Sequence, residues 1–336
     1  MYSDLQYLSV PLPEDVSKLK YFGDFDRLNR VIDLKLQKDI PLPLRRRLEL
    51  EKEICALWPR EYPHTPEAAL AQLQACFTDF SAQELEQLRD LDQVEWAYVN
   101  GQVRYKNNFL SNLIKTQPRF ESRLRDPKRL RYKQENAAML NEIVARMKRE
   151  GHLSARIHMR STMTIAQGAK RAGQMVTAHL PLPMEYAQVK RFHLLSCSHP
   201  DAIVAPGAFP QRTICFRAVP DRPFTVEYTY ETHMQYADPD PALVCDQQPT
   251  FYTEEYAPHM TFTPYLRMLA REIVGDEKNP LRKARRIYDF ITTKVTYCYM
   301  RAYMTMPNVS EYAAACMKGD CGVQALLFIT LCRIAG

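Results

Sequence analysis

The stretch Lys318–Gly336, KGDCGVQALLFITLCRIAG, decides how the rest of the chain is read. A cysteine follows a Gly-Asp pair and opens an apolar run at helical spacing. Val323, Leu326, Leu327, Thr330, Leu331 and Ile334 form one stripe that would bury the helix and hold the sulfur still. Asp320 is a good N-cap, which places Cys321 near the first helical position. Unpaired backbone N–H groups and the positive end of the helix dipole favour an anion there. A cysteine attacks as the thiolate, so the layout suits a nucleophile. Gly319 would permit a sharp turn, and Gly322 would clear a side chain from beside the sulfur. The N–H of Cys321 would point into an oxyanion hole. The same residues also read as a loop before a core helix, with Cys321 a small apolar filler. Asp320 opposes a thiolate unless its carboxylate turns away, as an N-cap does.

The totals set the frame. The chain has 336 residues, room for two or three domains, with 46% apolar and 25% charged residues. A net charge of +6 spread among 39 acidic residues gives no signal for nucleic acid. The basic stretch Pro127–Arg131, PKRLR, reads as a solvated helix face. No run approaches the ~18 apolar residues of a membrane helix, and no N-terminal leader pattern is visible. The cysteine count of nine is odd and without metal-ligand spacing, so we expect reduced thiols, a cytoplasmic protein, and no metal or cofactor. Cys197, Cys215, Cys245 and Cys298 are expected as buried small hydrophobes.

Residues 1–151 read as a helical domain. Helical patterns run from Asp26 to Ile40 and from Leu42 to Trp58, where Pro59 and Pro63 should stop the second. Thr65-Pro66 opens another helix, and Ser81 with Glu84 forms a capping box. Val94–Lys106 alternates around Asn100-Gly101, a hairpin signal. A long charged helix runs from Pro127 to Glu150 and ends at Gly151. Residues 154–250 then alternate in five or more short strands, which predicts a β-sandwich. Helices return over residues 258–336, with Pro264 and Pro280 at helix starts and Ser310 as a cap for EYAAACMKG.

The Cys321 segment resembles the nucleophile segment of the transglutaminase-like superfamily. Gly319, Cys321, Gly322, Ala325, Arg333 and Gly336 fit its pattern, and Val295 and Tyr297 supply its V-x-Y strand. The resemblance covers about Thr263–Gly336. It implies the first part of a papain/transglutaminase-like core, and a β-sandwich ahead of that core is a common bacterial arrangement; with the helical N-terminal domain read above, the expectation is an α+β multidomain protein. It implies Cys321 as nucleophile in acyl transfer through a thioester, with a protein or peptide substrate. Hydrolysis of the protease or amidase type, as in many bacterial relatives, is favoured over crosslinking. The family's base is a His some tens of residues after the cysteine, followed by an Asp. Only fifteen residues follow Cys321, and none is His or Asp. All eight histidines, His64, His152, His158, His179, His193, His199, His233 and His259, precede it, and none matches the family position. The expectation is a catalytic core cut after its nucleophile helix, inactive alone. The rival is a protein-binding scaffold with a vestigial core.

Other candidates have bland readings. Ser198-His199 lacks a nucleophile elbow and reads as a strand-end turn. Asp238, Asp240 and Asp246 sit too far apart for a metal loop and read as a solvated linker. Tyr297, Tyr299 and Tyr303 line a substrate groove or pack a core.

Overall fold

The computed structural model describes residues 2–126, 128–169, 171–245, 247–249 and 251–336. Pro127 and Asp246, both named above, lie outside them. The fold mixes helix and sheet. Its elements are α1 (Glu14–Tyr21), α2 (Phe25–Leu36), α3 (Leu42–Glu61), α4 (Pro66–Cys76), α5 (Ala82–Asp90), β1 (Trp96–Val99), β2 (Gln102–Tyr105), α6 (Phe109–Thr116) and α7 (Lys128–Glu150). Then come β3 (His152–Met163), β4 (Val176–Pro181), β5 (Val189–Cys197), β6 (Ile203–Val204), β7 (Thr213–Ala218) and β8 (Phe224–Gln235). The C-terminal part holds α8 (Pro264–Val274), α9 (Pro280–Lys294), β9 (Thr296–Tyr297), α10 (Val309–Cys316), β10 (Lys318–Gly319) and α11 (Cys321–Ala335).

Contacts group the chain into two compact units. One joins residues 1–130 to 240–336; the other is 131–239. Residues 1–130 of the helical segment thus group with the C-terminal helices, and residues 131–151 with the strands. In that unit Leu28, Ile32 and Leu48 pack around α1–α3, and Phe77, Phe109 and Phe120 around α4–α6. Leu266, Ile287, Val309, Val323, Leu327 and Leu331 fill a third core. Each such fully buried side chain stabilises by about 1.5–3 kcal/mol. Met304 packs on Leu8, Leu50 and Ile54, joining the two ends of the chain.

The other unit holds most of α7 and two three-stranded antiparallel sheets, ordered β3-β8-β5 and β4-β7-β6. Ala178, Leu180, Ile214, Phe216, Phe224 and Val226 of both sheets share one apolar core. Ser198 and His199 belong to it. The Ser198 hydroxyl accepts from the Thr225 N–H at 2.9 Å and lies 2.7 Å from His199 Nδ1, and the imidazole stacks on Phe224.

Several local expectations meet corrections. α3 continues through Pro59 to Glu61, since a proline in the last turn sacrifices only one hydrogen bond. Ser81 accepts from the Glu84 N–H at 3.2 Å, but the Glu84 carboxylate goes to Arg123, so the box is half made. Asn100 and Gly101 both take positive φ, the turn their pairing predicts. Asn308, not Ser310, caps α10; Ser310 is buried inside the helix and bonds the His259 carbonyl and the Thr330 hydroxyl. Cys298 is buried and Cys197 and Cys215 half-buried, but Cys245 is exposed, with its thiol on the Gln247 carbonyl beyond the cover of any core. Asp240 caps a short turn through the Ala242 N–H at 2.8 Å.

Candidate active site

Asp320 is the N-cap of α11, and Cys321 is its first residue. The carboxylate turns into the helix. Its Oδ1 accepts from the Val323 N–H at 3.1 Å and from the Tyr303 hydroxyl. Burial and this carboxylate push the Tyr303 phenol well above its usual range. The Asp320 charge is thus spent on two donors. First-turn N–H groups have no intrahelical acceptor, and Asp320 takes only the one from Val323. Cys321 is exposed, on a helix whose inner face is locked by Val323, Leu327, Thr330 and Leu331.

The two glycines act differently from the sequence reading. Gly319 is extended strand rather than a turn; a Cβ there would collide with Val323. Gly322 clears room for Tyr303, not for substrate: a Cβ would strike the Tyr303 hydroxyl and ring. The sharp turn falls at Met317, which is left-handed.

β10 pairs in parallel with β9, Gly319 opposite Tyr297. The Thr296 N–H donates to the Met317 carbonyl at 2.9 Å and the Cys298 N–H to that of Gly319 at 3.2 Å. Gln324, on the first turn of α11, donates to the carbonyls of Gly319 and Val295. This ladder sets Tyr297 beside the strand end that leads through Asp320 into Cys321. Burial and then the facing Cys321 sulfur, by charge and by hydrogen bond, push the Tyr297 phenol up. Of the two tyrosines, Tyr303 makes the hydrogen bond to the cap carboxylate.

The other wall comes from the first third of the chain. Lys318 reaches Asp92 at 2.8 Å and Glu95 at 3.0 Å. Burial opposes its charge, but the Glu95 and Asp92 carboxylates prevail and hold the ammonium above the usual lysine range. Glu95 also meets Arg301 at 3.5 Å and accepts from the Tyr62 hydroxyl at 3.3 Å. On α6, Asn112 bonds the backbone of Tyr299, and the Lys115 ammonium lies 4.1 Å from the Tyr297 ring centre. None of these residues was singled out from the sequence, where up to 226 positions separate them from their partners.

No hydrogen bond links a histidine to Cys321 among the described residues. His64 is tied to Gln72 and Asn107. The His259 carbonyl binds Ser310 beside Thr330, roughly 13 Å along α11 from Cys321 at 1.5 Å per residue. The other six histidines belong to the strand-rich unit. No His, Cys, Asp and Glu group suited to a metal occurs among the described residues, and no helix there is long and apolar enough to cross a membrane.

No curated protein matches the chain. A solved structure from Cytophaga hutchinsonii, provisionally described as a cysteine protease, aligns at 17% identity and a TM-score of 0.35, over 55% of this chain and 65% of that one. This chain thus spans less than two thirds of that protein's length. The transglutaminase-like superfamily core matches residues 267–336, the segment that holds α9, β9, α10 and α11. That segment is similar to the core of the transglutaminase-like superfamily.

Proposed function

We propose that Cys321 is the nucleophile of a cysteine acyl-transfer site acting on an amide or peptide carbonyl. The observation that carries this is an exposed thiol at the first position of a rigid helix, with the adjacent carboxylate turned into the cap and a tyrosine hydroxyl facing the sulfur. The thiolate adds to the carbonyl carbon. The developing oxyanion takes the N–H of Cys321. The C–N bond breaks, the amine leaves with a proton, and a thioester remains. Water then adds, the C–S bond breaks, and a carboxylic acid is released with return of the thiol. Hydrolysis is favoured over crosslinking, as in the bacterial relatives of the superfamily. Both proton transfers need a base that reaches the sulfur.

The test is competitive alkylation with limiting iodoacetamide near pH 7, each cysteine peptide followed by mass spectrometry. Cys321 should label first among the nine cysteines, ahead of the also exposed Cys245 and Cys316. Equal rates at the three exposed thiols would favour the scaffold reading instead.

A further inference from the structure

β9 is only two residues long, and residues 298–302 after it hold no regular structure. The ladder holds the backbone on both sides of Tyr297 through Thr296 and Cys298, and it stops there, so the chain from Tyr299 onward needs another support. The buried Asn112 carboxamide, 5% exposed in the middle of α6, binds both backbone groups of one residue. Its Nδ2 donates to the Tyr299 carbonyl at 3.0 Å, and its Oδ1 accepts the Tyr299 N–H at 2.7 Å. The amide thus stands in for a neighbouring strand. One turn along the same face, Lys115 lies over both the Tyr297 and Tyr299 rings, at 4.1 and 4.9 Å. α6 grips the tyrosine pair by its backbone and by its rings.

We propose that Asn112 is a positioning residue for the thiol: by holding the Tyr299 backbone, it sets the Tyr297 side chain against Cys321. The inference rests on the assignment of Cys321 as nucleophile and names a determinant of its reactivity from the helical segment. An amide placed only for stability would not communicate with the sulfur. An amide that orients Tyr297 acts through that hydroxyl and through nothing else.

The experiment follows iodoacetamide labelling of the full chain at pH 7 and pH 9. Exposed Cys245 and Cys316 serve as references, and Cys55, 1% exposed in the same unit, as a reporter of folding. Asn112→Ala should slow Cys321 at pH 7 about tenfold, the factor one hydrogen bond to a charged group carries. The ratio of its rates at pH 7 and pH 9 should fall, with the references unchanged. Tyr297→Phe should give the same loss, and the double variant no further loss. An unchanged Cys321 ratio in Asn112→Ala, or losses that multiply in the double variant, overturns the inference. Should Cys55 become reactive in Asn112→Ala, Asn112→Ser gives the reading. If that variant also exposes Cys55, Asn112 is a packing residue and the inference falls. If Cys321 labels no faster than the references in the unaltered chain, yet both substitutions slow it equally, the nucleophile assignment fails and the positioning role stands.

Discussion

The two walls of the Cys321 site are built by opposite means. The wall made of β9, β10 and the start of α11 is short-range: Tyr297, Tyr303, Asp320 and Gly322 lie within about one family motif of the sulfur. Hydrogen bonds along backbone and cap hold it. The wall made of α5, the hairpin and α6 arrives from far away, and its contacts are charge and amide. Glu95 meets Lys318, Arg301 and Tyr62 at once. A local motif can thus be complete in itself and still take its orientation from a distant segment.

The sharpest way to break this comparison is to remove the carboxylate at its centre. Glu95→Ala leaves the largely buried Arg301 without its carboxylate and Lys318 with Asp92 alone, and should destabilise by about 2–4 kcal/mol in urea unfolding. The lysine half has a sign that pH reveals. Its folded-state affinity for a proton is raised, so its contribution is fully present below the ordinary lysine value of about 10.4 and is lost as pH climbs through the higher folded value. The stability gap between the unaltered chain and Lys318→Met should therefore hold steady across neutral pH and close only in strong alkali. A gap that closes by pH 9 would show that the ion pairs are not what anchors this wall.

A smaller effect tests the short-range wall. Tyr303→Phe removes one donor from Asp320 and keeps the ring against Gly322, and should cost about 1.5 kcal/mol of unfolding free energy. Its Cys321 labelling should change as well, because the cap carboxylate gains freedom next to the sulfur. The smallest effect serves as a control. Ser81→Ala costs about 1 kcal/mol through loss of a cap far from the site, and Cys321 labelling should stay as it was. If it changes, the site is coupled to the general stability of the helices and the two walls are not distinct.

Much of the near wall was legible because its signals are local. Asp320 as cap, Cys321 as first residue, and the stripe from Val323 to Leu331 follow from spacing alone. So do Thr65, Asn100-Gly101 and the prolines at helix starts. Single residues with two possible partners were harder. Gly322 looked like space for a substrate until Tyr303 filled it. Ser310 looked like a cap, but Asn308 two residues earlier took that role and left the serine to a buried hydroxyl pair. Asn112 and Glu95 carry no pattern at all, since an amide or a carboxylate in a helical sequence reads as surface until its partner is known. Sequence distance hides such pairs, because the energy of a contact does not depend on how many residues lie between its ends.

One strand pairing reaches beyond the site. β3 and β8 run antiparallel from His152 opposite Gln235, and the Tyr236 N–H donates to the Gly151 carbonyl at 2.9 Å. The chain therefore leaves for the sheets and comes back at nearly the same point. In effect the intervening residues form a cassette spliced in at a closed doorway, and a short turn from Gly151 to Tyr236 would bypass it without asking the backbone to stretch.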